Sequence, residues 1–492
     1  MNFNKLKIFF LYLTAFLGGV AGMIVELTAI RLVAPFFGSS MEVWATIIAL
    51  VMTALALGYF FGGQLSKKIK NLNSVIYLLI AAAGLLIGFS YLFVEPIVSF
   101  TSLSLQLAKF SLSFKTFLVV LILFFLPVFL LGSIYPLIIA SFRRKKSGQA
   151  AGLIFAISTT GSILGTLLPS FVLIPLIGTK LTFFLTGIGL EILALIGLSK
   201  FQKIIPAIIL LLLLLNSPRH PQSLSSSTED TIYQTESIYQ EIKVIKRGSL
   251  YLLSLGPGHF ISSSYSPDSF LDGGVFDYFN LLPYLKDFGR NLDVLIIGLG
   301  AGTISRQYQH FFPEKYALHT DGVEIDPEVI KVGKKYFELE QPSLTIYEMD
   351  GRAFLNQSGK SYDIIIVDAY ARQTYVPFHL ATQEFIQKAK EHLKENGILA
   401  FNVATTSLES FRYQAISQTT KSVFEKTYSL PVDETNTIVL ASNSPLKSPT
   451  EINQEAIPED LRSLITSILQ MKPIESSSPH FILHDDTAPE KI

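Results

Sequence analysis

The 492-residue chain contains no cysteine, which excludes disulfides, thiolate metal sites and cysteine nucleophiles. Charged residues are also scarce: they make up 16% of the chain, whereas 49% of its residues are hydrophobic. No run of basic residues indicates nucleic-acid binding, and we expect no metal site. A chain of this length and apolar character is not one soluble domain.

Acidic residues are nearly absent from the first half of the chain. Residues 1–216 hold 15 Lys and Arg but only four acids, and residues 217–492 hold 24 basic and 35 acidic residues. The chain is therefore a basic, apolar half followed by an acidic half of ordinary composition.

Long apolar stretches in the first half predict a multi-span membrane region over residues 1–216. A helix needs about 20 apolar residues to cross ~30 Å of hydrocarbon. Stretches of that kind lie near 8–30, 42–63, 74–95, 116–140, 150–174 and 181–199. The first is interpreted as a transmembrane helix and not as a signal peptide, because further spans follow it. The stretch 204–215 is short, and we expect it to lie at the interface or to be partly inserted.

Basic residues between the spans predict the orientation. The heavier set falls on one side and comprises Lys5, Lys7, Lys67, Lys68, Lys70, the run 143–146, Lys200 and Lys203. The lighter set comprises Arg31, Lys109, Lys115 and Lys180. The heavier side should be cytoplasmic, so the N-terminus and, after six spans, the second half are both expected in the cytoplasm at the cell (inner) membrane.

Two kinds of residue stand out within the spans. The glycines of "GGVAG" (18–22) and "GYFFGG" (58–63) predict close helix packing. Glu26 and Glu191 are carboxylates inside the membrane, where a charge is expensive. A structural ion pair is the first interpretation of these acids, and transport or lipid-headgroup binding is the alternative.

The second half has the pattern of an α/β enzyme. A Pro/Ser-rich linker is predicted over 217–230, followed by a small β-hairpin subdomain within 231–288 that turns at Gly248. Residues 289–443 alternate strands with helical stretches, which predicts a Rossmann-like parallel sheet covered by helices. "TIVLAS" (437–442) is a candidate antiparallel edge strand, and 444–492 is a separate C-terminal segment.

Glycines and acids recur at the ends of these strands. "IIGLGAGTISR" places Gly298, Gly300 and Gly302 after the first strand, where backbone N–H groups can approach a ligand at a helix N-terminus. Three acids end the next three strands: Glu324, Asp350 (followed by Gly351) and Asp368. Because open α/β sheets bind ligands at this rim, the row predicts a nucleoside site. Asp368 ends the buried run "IIIVD", and a desolvated carboxylate is costly unless something pairs with it.

The motifs "YQEIKV", "VEIDPEVIKVGKKYF", "DGRAFL" and "YDIIIVDAY" resemble those of the spermidine synthases, or polyamine aminopropyltransferases. The tail "LHDDTAPEKI" resembles the ending of the subgroup fused to a multi-span membrane region. The resemblance implies a domain that binds S-adenosylmethionine-type donors, with Gln240 contacting the nucleoside. It also implies that Asp368 deprotonates the attacking amine and that Tyr370 is a candidate substrate contact.

The chain departs from that family at positions that recognise amines. The second acid of the family's Asp-x-x-Asp is Ala371, and the aspartate of the glycine-rich loop is Ala301. Asp277 stands where the soluble enzymes usually have histidine, and it is a candidate substrate contact. His379 is expected to line the pocket or to cap the next helix.

The leading hypothesis is a membrane-anchored enzyme that transfers an aminopropyl group from decarboxylated S-adenosylmethionine to putrescine or a related amine. The products would be spermidine and methylthioadenosine, with no permanently bound cofactor. The first alternative is a methyltransferase-like enzyme that uses intact S-adenosylmethionine on a membrane-associated substrate. The second is a transporter or sensor that binds the nucleoside. The expected partners are the amine and the lipid bilayer, and homo-oligomerisation is left open.

Overall fold

The computed structural model describes ten stretches of the chain: 3–37, 41–106, 112–142, 147–199, 201–216, 230–256, 261–370, 375–448, 450–476 and 481–486. Two compact units divide the chain, Met1–Gln222 and Ser223–Ile492. The predicted linker lies outside the described residues except for Asp230, and so does Ala371.

The first unit is helical wherever it forms regular structure. Its helices are α1 (Phe3–Phe37), α2 (Met41–Ser66), α3 (Leu72–Gln106), α4 (Leu112–Val120), α5 (Leu126–Ser141), α6 (Ser147–Leu168), α7 (Ile174–Gly197) and α8 (Ile204–Leu215). Short π-helical segments, Leu121–Phe125 and Pro169–Leu173, join α4 to α5 and α6 to α7.

Within the described part of the chain, five helical stretches are long and apolar enough to cross a membrane: Leu6–Val33, Val43–Ser66, Leu72–Val94, Phe114–Ser141 and Gly148–Gly197. The last contains both the fifth and the sixth predicted spans. Its 50 residues would extend about 75 Å as one straight helix, far beyond the ~30 Å of a bilayer core. Gly178 leaves the helical conformation inside it, with φ 77° and ψ 168°. The break falls between the two predicted segments.

Glycines mark the closest approaches between these helices. A Cβ on Gly19 would lie 2.2 Å from the carbonyl oxygen of Ser158, and one on Gly62 would lie 2.3 Å from that of Ser133. These contacts join α1 to α6 and α2 to α5, so both predicted glycine motifs contribute to helix packing. Gly22 and Gly63, in the same motifs, face open space.

Two acids within the predicted spans, Glu26 and Glu191, are buried. Glu191 has no exposed surface, and neither of its carboxyl oxygens has a hydrogen-bond partner among the described residues. It lies at the crossing of α3 and α7, where a Cβ on Gly84 would come within 2.8 Å of its Oε1. No salt bridge to Glu191 is found in the described part of the chain, so the structural ion pair predicted for it is not observed there.

The second unit contains two sheets. An antiparallel sheet is formed by β1 (Asp230–Glu236), β2 (Glu241–Arg247), β3 (Leu250–Leu255) and β4 (Ile261–Tyr265), in that order. The eight-stranded sheet contains β5 (Asn291–Ile297), β6 (Ala317–Glu324), β7 (Leu344–Glu348), β8 (Tyr362–Val367), β9 (Leu393–Ala404), β10 (Lys426–Pro431), β11 (Asn436–Ser442) and β12 (Lys472–Pro473). Its strand order is β12-β10-β11-β9-β8-β5-β6-β7.

Helices cover both faces of the larger sheet. They are α9 (Val275–Tyr278), α10 (Thr303–Phe311), α11 (Pro327–Tyr336), α12 (Gly351–Gln357), α13 (Gln383–Glu391), α14 (Phe411–Val423), α15 (Glu459–Arg462) and α16 (Ile465–Ile468). Neighbouring residues of β8 point to opposite faces: Ile364 and Ile366 join the core with α10, and Ile365 and Val367 join the core with α13. Because both faces are covered, every residue of β8 is buried.

The five parallel strands β5 to β9 are those predicted, and the Rossmann-like fold class is confirmed. Two details differ. The β-hairpin subdomain is a four-stranded sheet, since β1 and β4 flank the hairpin β2–β3. "TIVLAS" forms β11, which is antiparallel as predicted, but β10 and β12 lie outside it, so it is not an edge strand.

The glycine pair at the end of α2 yields a matched test of helix packing. We expect Gly62→Val to lower the thermal unfolding midpoint of the detergent-purified protein, since its Cβ would meet the Ser133 backbone. Gly63→Val makes the same chemical change one residue away, facing open space, and should leave the midpoint nearly unchanged. Equal midpoints for the two variants would contradict this packing.

Candidate active site

The predicted strand-end residues lie along one edge of the larger sheet. Parallel pairing of β7, β6, β5, β8 and β9 places their carboxyl ends side by side. Asp350, Glu324, Gly298 and Asp368 follow the first four of these strands in that order. The structure thus brings together the row that the sequence predicted.

The turn from Gly298 to Gly302 has no room for side chains at its glycines. Gly298, Gly300 and Gly302 have φ values of 87°, 57° and 89°, a region that other residues rarely adopt. A Cβ on Gly298 would lie 2.4 Å from the carbonyl oxygen of Asp368, and one on Gly300 would lie 2.6 Å from Oγ of Ser263. The turn is therefore packed directly against the end of β8 and against β4.

Glu324 supports this turn from the end of β6. Its Oε2 accepts the N–H of Gly300 at 2.9 Å, and its Oε1 accepts the N–H of Asp326 at 3.1 Å. Burial raises the pKa of Glu324 to about 7, although these N–H groups favour its charged form. Glu324 is thus a buried carboxyl whose two oxygens face the glycine turn and the next helix.

Asp350 caps α12 and pairs with His379. Its Oδ1 accepts the N–H groups of Arg352 and Ala353, both at 2.9 Å. Its Oδ2 lies 2.7 Å from Nε2 of His379. These bonds, that of His379 above all, hold the pKa of Asp350 below its usual range. His379 thus contacts a predicted site residue, whereas Thr382 caps the next helix, α13.

Gly351, which follows Asp350, has no room for a side chain. A Cβ there would lie 2.3 Å from Cγ2 of Ile297.

The turn between β1 and β2 carries Gln240 to the same rim. Ser237 Oγ accepts the N–H groups of Tyr239 and Gln240 and donates to Asp326 Oδ2 at 2.5 Å. Asp326 is the N-cap of α11, two residues after Glu324. Burial raises the pKa of Tyr239. Four nearby carboxylates raise it further, those of Asp326, Asp350, Glu348 and Glu324. This turn therefore lies near Glu324 and Asp350.

Asp368 is partly buried at the end of β8, and its backbone N–H donates to the carbonyl of Ile297 at 2.9 Å. The amide Nδ2 of Asn402 donates to its Oδ1 at 2.8 Å. Burial raises the pKa of Asp368 to about 7, although this hydrogen bond opposes the shift. No cation pairs with it among the described residues.

The hydroxyl of Tyr370 hydrogen-bonds to the backbone at the end of β9. The hydroxyl donates to the carbonyl of Asn402 at 2.8 Å and accepts the N–H of Ala404 at 2.9 Å. It holds the segment after Asp368 against the end of β9. Its ring is the part left for the predicted substrate contact.

Asp277 is buried within the short helix α9. Its oxygens accept the N–H of Asp272 at 3.2 Å, the N–H of Gly273 at 2.8 Å and Nε2 of Gln307 at 2.7 Å. Burial and the neighbouring charge of Asp272 raise its pKa to about 6. Asp277 therefore joins the loop at Asp272 and Gly273 to α10, and its predicted contact with substrate gains no geometric support from these bonds.

Residue 301 lies in an apolar environment. Ala301 is buried in a cluster with Ile242, Val244 and Leu253 of the smaller sheet and with Val329 and Val332 of α11. Its N–H donates to Ser263 Oγ at 2.9 Å. The backbone at this position serves the glycine turn, and its side chain serves the contact between the smaller sheet and α11.

Sequence reasoning missed three contributors to the rim. Asn402, which follows the apolar run of β9, could have been found by the rule that located Asp368, a polar residue at the end of a buried strand. Tyr239 and Ser263 carried no such signal, because they belong to the smaller sheet and reach the rim through tertiary contacts alone.

Comparison with known proteins bears on this geometry. Residues 283–445 match the model of the spermine/spermidine synthase domain. A probable polyamine aminopropyl transferase of Bifidobacterium longum is 32% identical over 206 residues, which cover 42% of this chain and 45% of the relative. The polyamine aminopropyltransferase of Vibrio vulnificus is 30% identical over 258 residues, which cover 51% of this chain and 83% of the relative. The chain belongs to the polyamine aminopropyltransferase family.

The alignments of this aminopropyltransferase family member leave about half of the chain unmatched, and less than half of the Bifidobacterium relative is covered. Among solved structures, a probable spermidine synthase of Corynebacterium glutamicum is 17% identical, with a TM-score of 0.42, over 54% of this chain and 98% of that one.

Glu324 offers a test of the nucleoside site in this family member. If it accepts ribose hydroxyls as predicted, Glu324→Ala removes hydrogen bonds to a charged acceptor worth ~1.5–3 kcal/mol. Affinity for methylthioadenosine, measured by isothermal titration, should then fall about tenfold or more. Glu340→Ala removes an exposed carboxylate that contacts Lys334 and should leave binding unchanged. Parent-like binding by folded Glu324→Ala would contradict the assignment.

Proposed function

We propose that this protein is a membrane-anchored aminopropyltransferase. It transfers the aminopropyl group of decarboxylated S-adenosylmethionine to putrescine or a related amine and releases spermidine and methylthioadenosine. The observation that carries the proposal is Asp368, a carboxyl with a pKa of about 7 at the end of β8, held by one amide and unpaired with any cation among the described residues.

The reaction requires a proton acceptor at that place. An ammonium has no lone pair, so the acceptor amine must lose a proton before it attacks the carbon next to the sulfonium. Asp368 takes that proton, the new C–N bond forms, and the C–S electrons return to sulfur, which leaves as a neutral thioether. A base with a pKa near neutral matches this task at physiological pH. Asn402 orients the carboxylate through Oδ1.

The donor nucleoside is proposed to lie between the glycine turn and the β1–β2 turn. Glu324 is the acceptor for the ribose hydroxyls, and Asp350, Gly351 and Gln240 surround the adenine ring. The charges of Glu324 and Asp350 both act on Tyr239, and this supports the placement because the β1–β2 turn then lies near both carboxylates.

Ala301 favours a second candidate function. A methyltransferase-like enzyme would use intact S-adenosylmethionine on a membrane-associated substrate. The side chain of Ala301 is a methyl group packed among apolar residues, so residue 301 supplies no carboxylate to select a donor that lacks its own carboxylate. Two assays separate the candidates: putrescine with decarboxylated S-adenosylmethionine, and labelled S-adenosylmethionine with membrane extract. Spermidine formation in the first supports the aminopropyltransferase, and label transfer in the second alone supports the methyltransferase.

Asp368→Asn tests the mechanism in whichever assay gives turnover. The amide keeps the shape of the side chain but cannot take a proton, so turnover should fall by about 10²–10⁴-fold while methylthioadenosine binding changes little. In the parent, kcat/KM should decline as pH falls below about 7, because protonation of Asp368 removes the base and protonation of Glu324 weakens donor binding. Asp268→Asn, at an exposed loop position, is the matched control.

A double variant, Asp368→Asn with Asp277→Asn, decides whether Asp277 can act as a substitute base. Because its oxygens already accept three hydrogen bonds, adding Asp277→Asn to Asp368→Asn should not lower the residual rate further. Parent-like turnover of Asp368→Asn would make Asp368 a structural carboxylate and overturn the mechanism.

The proposed location is the cell (inner) membrane with the catalytic half in the cytoplasm. The asymmetry of basic residues between the spans supports it, as does the cytosolic origin of S-adenosylmethionine. A reporter that is active only outside the cytoplasm, fused after Ser227, should give no signal in intact cells. A strong signal would mean that Ile204–Leu215 spans the membrane and that the catalytic half faces outward.

A further inference from the structure

The C-terminal residues Phe481–Asp486 are built into the second unit. Leu483 is buried in the core beside α13 and α14. Its carbonyl accepts the N–H of Gln383 at 2.8 Å, and its N–H donates to Thr419 Oγ1 at 2.9 Å. The backbone of this segment is therefore fixed two residues before Asp485.

Asp485 is held by two side chains from different elements. Nη1 and Nη2 of Arg352 donate to Oδ1 and Oδ2 of Asp485 at 2.6 and 2.5 Å, and Thr382 Oγ1 donates to Oδ1 at 2.8 Å. These contacts, the Arg352 hydrogen bond first, hold the pKa of Asp485 below its usual range. A two-bond pairing of this kind fixes the orientation of the guanidinium as well as its position. We refer to the group formed by Arg352, Thr382 and Asp485 as the clasp.

The clasp continues into the nucleoside end of the rim. Arg352 Nη1 also donates to the backbone carbonyl of His379 at 3.2 Å. The imidazole of His379 pairs with Asp350 Oδ2, whose other oxygen accepts the backbone N–H of Arg352. The start of α12, the segment around His379 and the C-terminal residues thus form one closed network, and Asp350 is the member proposed to face the ligand.

We propose that Asp485 is a positioning residue for the nucleoside site. It orients Arg352, which fixes the His379 segment against α12 and thereby holds Asp350 in the geometry that binds the nucleoside. This inference rests on the proposed nucleoside site at Asp350. It extends that site to the C-terminal segment, which lies outside the matched synthase domain at 283–445.

The matched pair is Asp485→Asn and Asp486→Asn. Asp486 is the neighbouring exposed carboxylate and makes no hydrogen bond with the described residues. Asp485→Asn should weaken methylthioadenosine binding and raise the donor KM by about three- to tenfold, while kcat stays within about twofold and the unfolding midpoint is kept. Asp486→Asn should match the parent in all four quantities.

Arg352→Lys supplies the second measurement, because lysine cannot make the paired contact. It should reproduce the Asp485→Asn effect, and the double variant should bind no more weakly than the poorer single variant, since both changes open the same contact. Parent-like nucleoside binding by Asp485→Asn, additive losses in the double variant, or a loss confined to kcat would each overturn the role of the clasp.

The binding readout keeps this inference separate from the proposed reaction. If the parent binds methylthioadenosine but transfers no aminopropyl group, the reaction is wrong and the clasp is still decided by binding. If the parent does not bind the nucleoside at all, the site and the positioning role both fail.

Discussion

The rim of the proposed active site depends on a turn whose glycines leave no room for side chains. Between Gly298 and Gly302 the backbone lies against the carbonyl of Asp368 on one side and against Ser263 on the other. The N–H groups of Gly300 and Ala301 donate to Glu324 and Ser263, which belong to different sheets. A Cβ at Gly298 or Gly300 would separate β8 or β4 from the turn. The relative positions of the proposed base and the nucleoside carboxylate therefore follow from three positive-φ glycines.

The pKa values of the acids along this rim are shifted in opposite directions. Burial raises the pKa values of Glu324 and Asp368 from 4.5 and 3.8 to about 7, whereas His379 and helix N–H groups lower that of Asp350. At pH values between their unfolded and folded pKa values, Glu324 and Asp368 hold protons in the folded protein that the unfolded chain has released. Their contribution to stability is therefore lost as pH rises toward 7. Asp350 contributes in the opposite sense, and its contribution is lost in acid. A cationic donor beside Asp368 would favour its charged form and so reduce the cost of burial.

The sequence carried enough information for the parallel strands and for the residues at their ends, because both depend on local pattern. Five apolar runs predict β5 to β9, and the carboxyl-end rule then locates Glu324, Asp350 and Asp368. β10 was missed because "KTYSLP" alternates weakly and contains a proline, and its pairing with β11 supplies the stabilisation. Tyr239, Ser263 and the clasp depend on contacts between residues far apart in sequence. The internal use of Asp277 was equally hidden, since it requires Gln307 on α10.

The alanine at position 301 follows from what surrounds it. Its side chain lies among Ile242, Val244 and Leu253 on one side and Val329 and Val332 on the other. A carboxylate among these apolar side chains would be desolvated, which is costly for an unpaired charge. The apolar residues of β2, β3 and α11 therefore match an uncharged residue 301, and the loss of a carboxylate there accompanies the packing of the smaller sheet. If the donor carries an ammonium toward this part of the rim, groups other than residue 301 must recognise it. A side chain packed in this cluster carries no charge with which to exclude the intact donor, so residue 301 does not discriminate between the two donors.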